Sequence, residues 1–433
     1  MSNNSKVDIV KREVFSRILP WIEEKEIIAL NGPRQSGKTT LLNKIKEKLP
    51  VDDTVYISFE NNQNLASFTT SPEEFVSAYC QKKNKVYFLF DEFQYVKNGG
   101  KILKELYDTF PQAKFIITGS ASLAIREIAS ALVGRIIYLN LYPFSFGESL
   151  LLQGKPLYDY WKKSNSFFRN YLETGFVDYL PKLIFNGELS KSFESYLTYG
   201  GYPRVNTIDS SLKQETLNNL IETYVEKDII KYLKVGDFIQ FQNFVKSLSA
   251  INGGLLNYSS MSKELGTAYR QVRKYLSQLE NTFVIKLINS YATNKTTEIK
   301  RTPKSYFLDT GLRNSLINDF RAIDSRPDKG NLVECFVFQQ LYFRRKLDNN
   351  FRYEIKYWRT KQGAEVDFVI KFQDELIPLE VKYQESPDTN LSRSFHNFLN
   401  KYKQKKAVVI TKNLLSIKKY QDIWVLFFPA YLL

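Results

Sequence analysis

The sequence predicts an α/β protein that begins with a parallel β-sheet and carries a second α/β region further along the chain. A fully apolar segment runs into the pattern Gly-x-x-x-x-Gly-Lys-Thr at 32–39, and an amphipathic helical pattern follows it. A second fully apolar segment ends at Asp91 and Glu92, as expected of a strand buried on both faces of a parallel sheet. Two strand patterns at 365–382 carry acidic residues and predict the second α/β region.

The glycine-rich segment after the first strand is typical of a phosphate-binding loop. Gly32 and Gly37 let the backbone turn tightly, so that successive N–H groups face one hollow and hold phosphate oxygens. The helix that begins near Lys38 adds the positive end of its dipole. The Lys38 ammonium would reach the β- and γ-phosphates, and the Thr39 hydroxyl would bind Mg²⁺. The alternative is a glycine-rich turn without a ligand. The predicted nucleotide-binding residues are Gly32, Pro33, Arg34, Gln35, Ser36, Gly37, Lys38, Thr39 and Thr40.

Acidic and hydroxyl side chains stand at the ends of two later strands of this sheet. Asp91 is placed to hold Mg²⁺ through water, and Glu92 to polarise the water that attacks the γ-phosphate. The segment 113–119 is another strand, and Ser120 after it is our candidate for orienting that water or sensing the γ-phosphate. The alternatives are a plain strand-to-turn transition at the two acids and, for Ser120, a cap on the helix predicted over 123–131. We therefore expect ATP and Mg²⁺ as cofactors.

Positive charge is concentrated in the later part of the chain. The formal net charge is +15; residues 251–433 hold 30 Lys and Arg against 18 Asp and Glu, whereas residues 1–250 hold 31 against 28. A basic region of this size favours an acidic polymer as partner, and we expect DNA to bind through residues 251–433. The alternative is a lysine-rich surface that is only solvated.

Cysteine and histidine are scarce, which argues against several classes of protein. Cys80 and Cys335 are far apart without metal-ligand spacing, so we expect a reducing, cytoplasmic location and no disulfide framework. The single histidine, His396, argues against a Ser-His-Asp triad and against a His-rich metal site. No apolar run reaches the ~18 residues of a membrane helix and the first residues are polar, so we expect no membrane partner and no signal peptide.

Residues 236–295 carry the pattern of a winged helix-turn-helix. An amphipathic helix over 241–251 is followed by a second helix capped near Asn257 and by a turn at Gly266. The third helix places apolar side chains on one face and basic side chains mostly off that face, where DNA would meet them. The apolar residues are Val272, Leu276 and Leu279, and the basic ones are Arg270, Arg273 and Lys274. Apolar residues at 283–285 suggest a wing strand. The alternative is a helix-turn-helix used only for protein packing.

Two strand patterns near residue 380 carry a candidate second site. Asp367, Glu380 and Lys382 form the pattern D-x(12)-E-x-K. Side chains alternate along a strand, so Glu380 and Lys382 share a face, and adjacent strands would bring Asp367 beside Glu380. These two carboxylates are candidate Mg²⁺ ligands, and Glu334 on a preceding helix is a third. Lys382 is the candidate group that orients or deprotonates an attacking water. The alternative is that the acids serve structure, or DNA binding without cleavage.

Three short segments resemble elements of one known family. Gly134-Arg135 precedes a further strand pattern, Pro-Phe-Ser-Phe-Gly-Glu follows it at 143–148, and Gly-Gly-Tyr-Pro occupies 200–203. With the phosphate loop, they resemble the AAA-type P-loop ATPases of the archaeal/bacterial predicted-ATPase family, whose C-terminal domain is PD-(D/E)xK restriction-endonuclease-like. The resemblance implies that Arg135 is a finger that reaches the nucleotide of a neighbouring copy, and hence a homo-oligomer. The alternative is a structural arginine that caps the preceding helix or binds Glu148.

The sequence patterns and the resemblance together predict four regions. They are an AAA-type P-loop ATPase domain with a parallel sheet at 1–150, a helical lid or linker at 151–235, a winged helix-turn-helix-like domain at 236–295 and a PD-(D/E)xK nuclease-like α/β domain at 296–433. We expect an ATPase coupled to DNA binding, with Mg²⁺-dependent DNA cleavage as a further candidate activity. The alternative is an ATP-dependent switch that docks to DNA or to a protein partner and carries an inert nuclease-like domain.

Overall fold

Fully apolar segments in the first part of the chain form a five-stranded parallel β-sheet. The computed structural model describes residues 10–120, 128, 130–176, 179–228, 238–345, 352–385 and 389–433. The strands are β1 (Ile27–Asn31), β2 (Thr54–Ser58), β3 (Val86–Asp91), β4 (Ala113–Gly119) and β5 (Ile136–Asn140). Their order is β2-β3-β4-β1-β5, and every neighbouring pair is parallel. The predicted parallel sheet is confirmed, and the carboxyl ends of its strands meet at one edge.

Helices cover both faces of this sheet. They are α1 (Phe15–Ile18), α2 (Lys38–Lys46), α3 (Asn62–Thr70), α4 (Pro72–Cys80) and α5 (Gly99–Thr109). On one face, Leu41, Leu42 and Ile45 of α2 are buried in one cluster with residues of β1. On the other face, apolar residues of α3, α4 and α5 join a second cluster. Burial on both faces explains why the strands read as continuous apolar runs. The helix predicted over 123–131 lies mostly outside the described residues.

The chain divides into two units. The first ends at Phe144 and includes Asn281–Phe283, and the second comprises Ser145–Glu280 and Val284–Leu433. Across the described ranges, no helix combines the length and the apolar character needed to cross a membrane.

The second unit begins with helices, as the apolar pattern predicts. They are α6 (Phe146–Leu150), α7 (Lys155–Thr174), α8 (Asn186–Tyr199), α9 (Pro203–Thr207) and α10 (Lys213–Leu220), and a π-helix at Ile221–Asp228 continues α10. Residues 229–235 at the end of the predicted lid lie outside the described residues.

Three helices and an antiparallel pair of strands follow. They are α11 (Phe238–Ala250), α12 (Tyr258–Glu264), α13 (Tyr269–Asn281), β6 (Ile285–Ile288), the short helix α14 (Lys295–Lys300) and β7 (Lys304–Phe307), and β6 pairs with β7. The predicted apolar face of α13 is confirmed, because Val272, Leu276 and Leu279 are buried. Asn257 caps α12 as expected, since its side chain accepts the N–H of Ser260. The sequence pattern did not indicate β7.

A buried carboxyl group explains the Gly-Gly-Tyr-Pro segment. A Cβ on Gly200, whose φ is +71°, would lie 2.1 Å from Oδ1 of Asp309. The N–H of Gly201 donates to Oδ2 of Asp309 at 2.7 Å. Asp309 also caps α15 (Thr310–Leu316) by accepting the N–H of Leu312 at 2.8 Å. Burial raises the pKa of Asp309 to about 6, although these N–H bonds oppose the shift. Gly200 is therefore required by close packing on one carboxyl group, and Gly201 supplies a backbone N–H to the same group.

The second unit ends in a six-stranded mixed sheet. Its elements are α16 (Lys329–Arg344), β8 (Glu354–Arg359), β9 (Glu365–Phe372), β10 (Glu375–Lys382), α17 (Arg393–Tyr402), β11 (Lys406–Thr411), β12 (Ser416–Tyr420) and β13 (Ile423–Pro429). The order is β12-β13-β11-β10-β9-β8. The strands β8, β9 and β10 form an antiparallel meander, and β11 is parallel to β10. Leu379 pairs with Phe368, so Glu380 follows opposite Asp367. The predicted adjacency of the two acid-bearing strands is confirmed.

Candidate functional site

The predicted phosphate loop connects β1 to α2 at the carboxyl edge of the parallel sheet. A Cβ on Gly32 would lie 2.1 Å from the carbonyl oxygen of Leu141, so only glycine fits there. Gly37 has a φ of +92° and directly precedes α2, and Gln35 is also left-handed with a φ of +57°. The predicted residues from Gly32 to Thr40 therefore lie in one tight loop and the first turn of a helix. The first N–H groups of that helix face the loop, as a phosphate site requires.

Lys38 is held over the loop that precedes it. Its side chain is buried, and Nζ donates to the carbonyl oxygens of Pro33 at 2.9 Å and Gly32 at 3.2 Å. Burial lowers the pKa of Lys38 to about 8, and the charges of Glu92 and Asp91 oppose that shift. The ammonium therefore stays charged near pH 7 and contributes a positive charge in a largely water-free place.

Asp91 at the end of β3 gathers hydroxyl groups from three elements. Its Oδ2 accepts from Thr39 at 2.8 Å and from Tyr56 at 3.0 Å, and its Oδ1 accepts from Thr118. Thr39 and Asp91, the two predicted Mg²⁺ ligands of this edge, are thus in direct contact. A hydroxyl oxygen beside a carboxylate fits a hard cation that prefers oxygen ligands. Sequence reasoning missed Tyr56 and Thr118, although each is a polar group in a strand next to β3.

Glu92 leaves the sheet in a left-handed conformation, with a φ of +54°. Its N–H donates to the hydroxyl of Thr118 at 3.0 Å. Its Oε2 accepts from the Ser120 hydroxyl at 3.0 Å and from the amide of Gln94. The structure therefore brings together the predicted base and the predicted serine, and it adds Gln94, which sequence reasoning missed. The helix that Ser120 was alternatively expected to cap lies mostly outside the described residues.

Arg12, far upstream in sequence, braces the phosphate loop. Its guanidinium donates to the carbonyl oxygen of Ser36 at 2.7 Å and to that of Tyr142 at 2.6 Å. It also lies over the ring of Phe144, 4.9 Å from the ring centre. Because the Ser36 carbonyl is fixed, the next peptide N–H, that of Gly37, keeps one direction. No local pattern around Arg12 indicated this contact.

In the second unit, two other predicted acids, Asp367 and Glu380, lie with Lys382 on the adjacent strands β9 and β10. Oδ2 of Asp367 accepts the N–H of Val381 at 2.8 Å. Burial of the carboxyl group and the nearby charge of Glu334 raise the pKa of Asp367 to about 8. Nζ of Lys382 lies 4.0 Å from Oε2 of Glu380 and donates to a backbone carbonyl at 2.8 Å. Adjacent strands thus unite the pattern D-x(12)-E-x-K, as the sequence predicts.

Lys304 on β7 enters this group of acids, and sequence reasoning missed it. Its Nζ lies 2.6 Å from Oε1 of Glu365 and 3.3 Å from Oε1 of Glu334. The Tyr306 hydroxyl donates to the same Glu334 oxygen at 2.5 Å. Among the described residues, no three or more His, Cys, Asp or Glu side chains are arranged to hold a metal ion. As placed, these residues do not fit a divalent cation, because an ammonium group contacts Glu334. Lys304 and Tyr306 are two residues apart and so share one face of β7. That spacing is the feature of the sequence that could have indicated a shared contact with the acids.

Comparison with known families finds a match for the region of the parallel sheet. Residues 24–150 match the model described as the AAA domain. This part of the chain is therefore similar to an AAA-type P-loop domain, and we call it the AAA-type domain. Residues 190–322 and 329–431 match models of two domains of unknown function, DUF8612 and DUF4143. The restriction-endonuclease-like assignment of the last region therefore stays a prediction.

Relatives of similar length occur in bacteria and archaea. An uncharacterized protein of Haemophilus influenzae is 25% identical over 444 residues, covering 99% of this chain and 100% of the relative. An uncharacterized protein of Methanocaldococcus jannaschii is 26% identical and covers 96% of this chain and 86% of the relative. Among solved structures, C. elegans PCH-2 is 14% identical and aligns with a TM-score of 0.29 over 51% of this chain and 61% of that chain. A score of that size does not establish a shared fold.

Arg135 lies at the edge of the AAA-type sheet opposite its phosphate loop. Its carbonyl oxygen accepts the N–H of Ile27 at 2.8 Å, where β1 begins. Its guanidinium pairs with Asp108 at 3.1 and 3.3 Å. The strands of about five residues separate this edge from the loop by roughly 17 Å. Arg135 therefore does not reach the phosphate loop of its own chain. Glu148, the partner considered in the sequence analysis, forms a capping box with Ser145.

Proposed function

We propose that the AAA-type domain binds ATP with Mg²⁺ and hydrolyses it, and that this reaction is coupled to DNA binding by the second unit. One observation carries the first part: contacts at one sheet edge connect the proposed metal ligands with the proposed base. Thr39 contacts Asp91, Thr118 contacts both Asp91 and Glu92, and Ser120 contacts Glu92. This arrangement supports phosphoryl transfer to water, in which positioning and charge supply most of the catalysis.

Each group has a role that follows from its surroundings. The loop N–H groups hold phosphate oxygens, and the buried ammonium of Lys38 balances the charge that develops on the leaving β-phosphate. Thr39 and Asp91 would hold Mg²⁺, which supplies charge neutralisation at the phosphates when it is bound. Glu92 accepts a proton from the attacking water, and the bonds from Ser120 and Gln94 orient its carboxylate.

Arg135 is proposed as a finger that acts on the nucleotide of a neighbouring copy, which requires a homo-oligomer. Its place at the edge away from its own phosphate loop supports this role. It is one-third exposed, and its pairing with the exposed Asp108 is weak enough to exchange for a phosphate. The two free cysteines, both buried, support the proposed cytoplasmic location.

The DNA-binding proposal rests on charge and on α13. Residues 251–433 carry an excess of twelve positive charges, with 30 Lys and Arg against 18 Asp and Glu. On α13 the basic residues Arg270, Arg273 and Lys274 are exposed, while the apolar face is buried. The antiparallel strands β6 and β7 follow α13 in the order expected of a wing. These features support a winged helix-turn-helix that presents α13 to DNA.

The DNA proposal predicts a steep dependence of affinity on salt. Neutralised phosphates release counterions, so the affinity for duplex DNA should fall at least ~10-fold between 50 and 200 mM salt. Replacing Arg270 and Arg273 together by alanine should weaken binding and should reduce the stimulation of ATP turnover by DNA. Fluorescence anisotropy and steady-state phosphate release measure the two effects. The matched control replaces Lys162 and Lys163, exposed on α7, and should bind as the wild type does. An affinity that does not change with salt would contradict the proposed DNA surface. ATP turnover unaffected by DNA would favour the alternative of an ATP-dependent switch.

Metal-dependent DNA cleavage, the further activity suggested by the sequence, has one observation in its favour and one against it. The observation in its favour is that Asp367, Glu380 and Lys382 meet on adjacent strands of an antiparallel meander. The succession of α16, three antiparallel strands, α17 and the parallel strand β11 supports the proposed restriction-endonuclease-like domain. The observation against cleavage is the contact of Lys304 with Glu334.

Because of that contact, we expect the wild-type protein not to cut DNA. Plasmid and linear DNA would be incubated with Mg²⁺ or Mn²⁺, with and without ATP, and analysed on gels. The Asp367→Ala variant controls for contaminating nuclease, since it should behave as the wild type does. Cleavage by the wild type that disappears in Asp367→Ala would instead establish an ATPase-linked nuclease.

A further inference from the structure

The acidic cluster of the second unit contains its own buried cation. We define this cluster by four carboxyl groups and three cationic side chains. They are Glu334, Glu365, Asp367 and Glu380, with Lys304, Arg359 and Lys382. Only 4% of the Lys304 side chain is exposed, and its Nζ contacts both Glu334 and Glu365. A lysine is rarely buried to this extent unless carboxylates surround it.

Protein donors already occupy at least one oxygen of Glu334, Glu365 and Asp367, three of the four carboxyl groups that a metal ion would need. Oε1 of Glu334 accepts a hydrogen bond from the hydroxyl of Tyr306 and another from the ammonium of Lys304. The second carboxylate oxygen of Glu365 accepts a hydrogen bond from the guanidinium of Arg359 at 2.6 Å. Oδ2 of Asp367 receives a backbone N–H. Within the described residues of the cluster, Oε2 of Glu380 is a buried oxygen without a hydrogen-bond partner. A divalent cation would therefore have to displace several existing bonds.

The position of Lys304 is fixed by the sheet and not by a mobile loop. Lys304 lies on β7, where it pairs with Ile288 of β6. Its Nζ lies over the ring of Tyr357, 5.6 Å from the ring centre. An ammonium held in this way cannot move aside without losing two carboxylate contacts. A nearby Mg²⁺ or Mn²⁺ would be repelled by it at short range, where little water screens the two charges.

We propose that Lys304 is the resident cation of this cluster and that it takes the place of a divalent metal ion. The cluster then holds β7, β9 and α16 together through charge pairing, and it does not bind Mg²⁺ or Mn²⁺. The inference concerns the acids of the second unit alone, so it stands independently of ATP hydrolysis in the AAA-type domain.

Binding of Mn²⁺ to the full-length protein, without nucleotide, tests the proposal. Free Mn²⁺ is counted by electron paramagnetic resonance as metal is added to the wild type and to Asp367→Asn. We expect identical isotherms, because the cluster contributes no site, and any Mn²⁺ bound near Thr39 and Asp91 is common to both proteins. Asparagine can still accept the N–H of Val381, so this variant should keep its fold. A wild-type site that Asp367→Asn removes would overturn the proposal.

A variant that lacks the Lys304 ammonium tests whether the acids bind metal once that charge is gone. In Lys304→Met the side chain keeps an unbranched shape of similar length but loses its charge, and one Mn²⁺ site that the wild type lacks should appear. Adding Asp367→Asn to this variant should abolish the new site. The matched control is Lys356→Met, which removes another largely buried lysine, 14% exposed and paired with Glu298, and should bind as the wild type does. A folded Lys304→Met without a new site would also overturn the proposal. If this variant does not fold, the comparison of wild type with Asp367→Asn still decides.

Discussion

Replacing Glu92 by glutamine is expected to lower the steady-state rate of ATP hydrolysis at least ~10²-fold, the usual contribution of a general base. Glutamine has the same size as glutamate, and its amide oxygen can still accept from Ser120, so the local structure should persist. It cannot take a proton from water. Affinity for ATP should stay close to that of the wild type, because Lys38 and the loop are unchanged. Phosphate release at saturating ATP and titration with a fluorescent ATP analogue measure the two quantities.

Glu60→Gln is the matched control for this prediction. Glu60 is exposed, and its charge acts on Lys38 as that of Glu92 does, but nothing places it as the base. Its variant should turn over ATP at nearly the wild-type rate. Equal losses in both variants would show that negative charge near Lys38, and not proton transfer, is what Glu92 supplies. Unchanged turnover in Glu92→Gln would remove Glu92 from the mechanism.

The residues that could be predicted from the sequence are those whose role depends on a local pattern. The loop from Gly32 to Thr39 was identified because two glycines, a lysine and a hydroxyl residue occur at fixed spacing between a strand and a helix. Asp91 and Glu92 were identified because a fully apolar strand ends at them. In both cases, neighbouring residues along the chain determine the geometry, and the structure places them as expected.

The residues that were missed depend on how distant segments pair. Tyr56 and Thr118 reach Asp91 only because β2 and β4 flank β3, an order that the chain sequence does not state. Arg12 reaches the loop across 24 positions of sequence. Lys304 meets Glu365 because β7 lies beside the mixed sheet, although it belongs to a separate antiparallel pair of strands. Spacing rules do not contain this information, because strand order is set by packing over the whole unit.

Replacing Asp328 by alanine is expected to lower the free energy of unfolding of the second unit by about 3 kcal/mol, because it deprives two buried guanidinium groups of their nearest carboxylate. Asp328 accepts two bonds from Arg326, each at 2.9 Å, and a further bond from Arg313. The side chain of Arg326 is 0% exposed and that of Arg313 is 3% exposed. Arg313 and Arg326 also donate to the backbone carbonyls of Ser249 and Asp319, which carry no full charge, and the Asp319 carboxylate lies 3.8 Å from Arg326. Urea unfolding followed by tryptophan fluorescence reports on this unit, since three of the four tryptophans lie in it.

The control and the pH dependence separate this ion pairing from a general effect of losing an aspartate. Asp324→Ala removes an exposed carboxylate that pairs with Lys412, and should change the unfolding free energy by less than about 1 kcal/mol.

Burial opposes ionisation of Asp328, but Arg326 and Arg313 outweigh it and lower its pKa to about 2. The unfolded chain, with an ordinary pKa near 4, therefore takes up the proton first as the pH falls. The stabilisation by Asp328 is complete above about pH 4 and is lost as the pH falls through 2. The difference between wild type and Asp328→Ala should thus be constant from pH 7 to pH 5 and shrink below pH 4. A difference that is independent of pH down to pH 2 would show that Asp328 acts through packing and not through its charge.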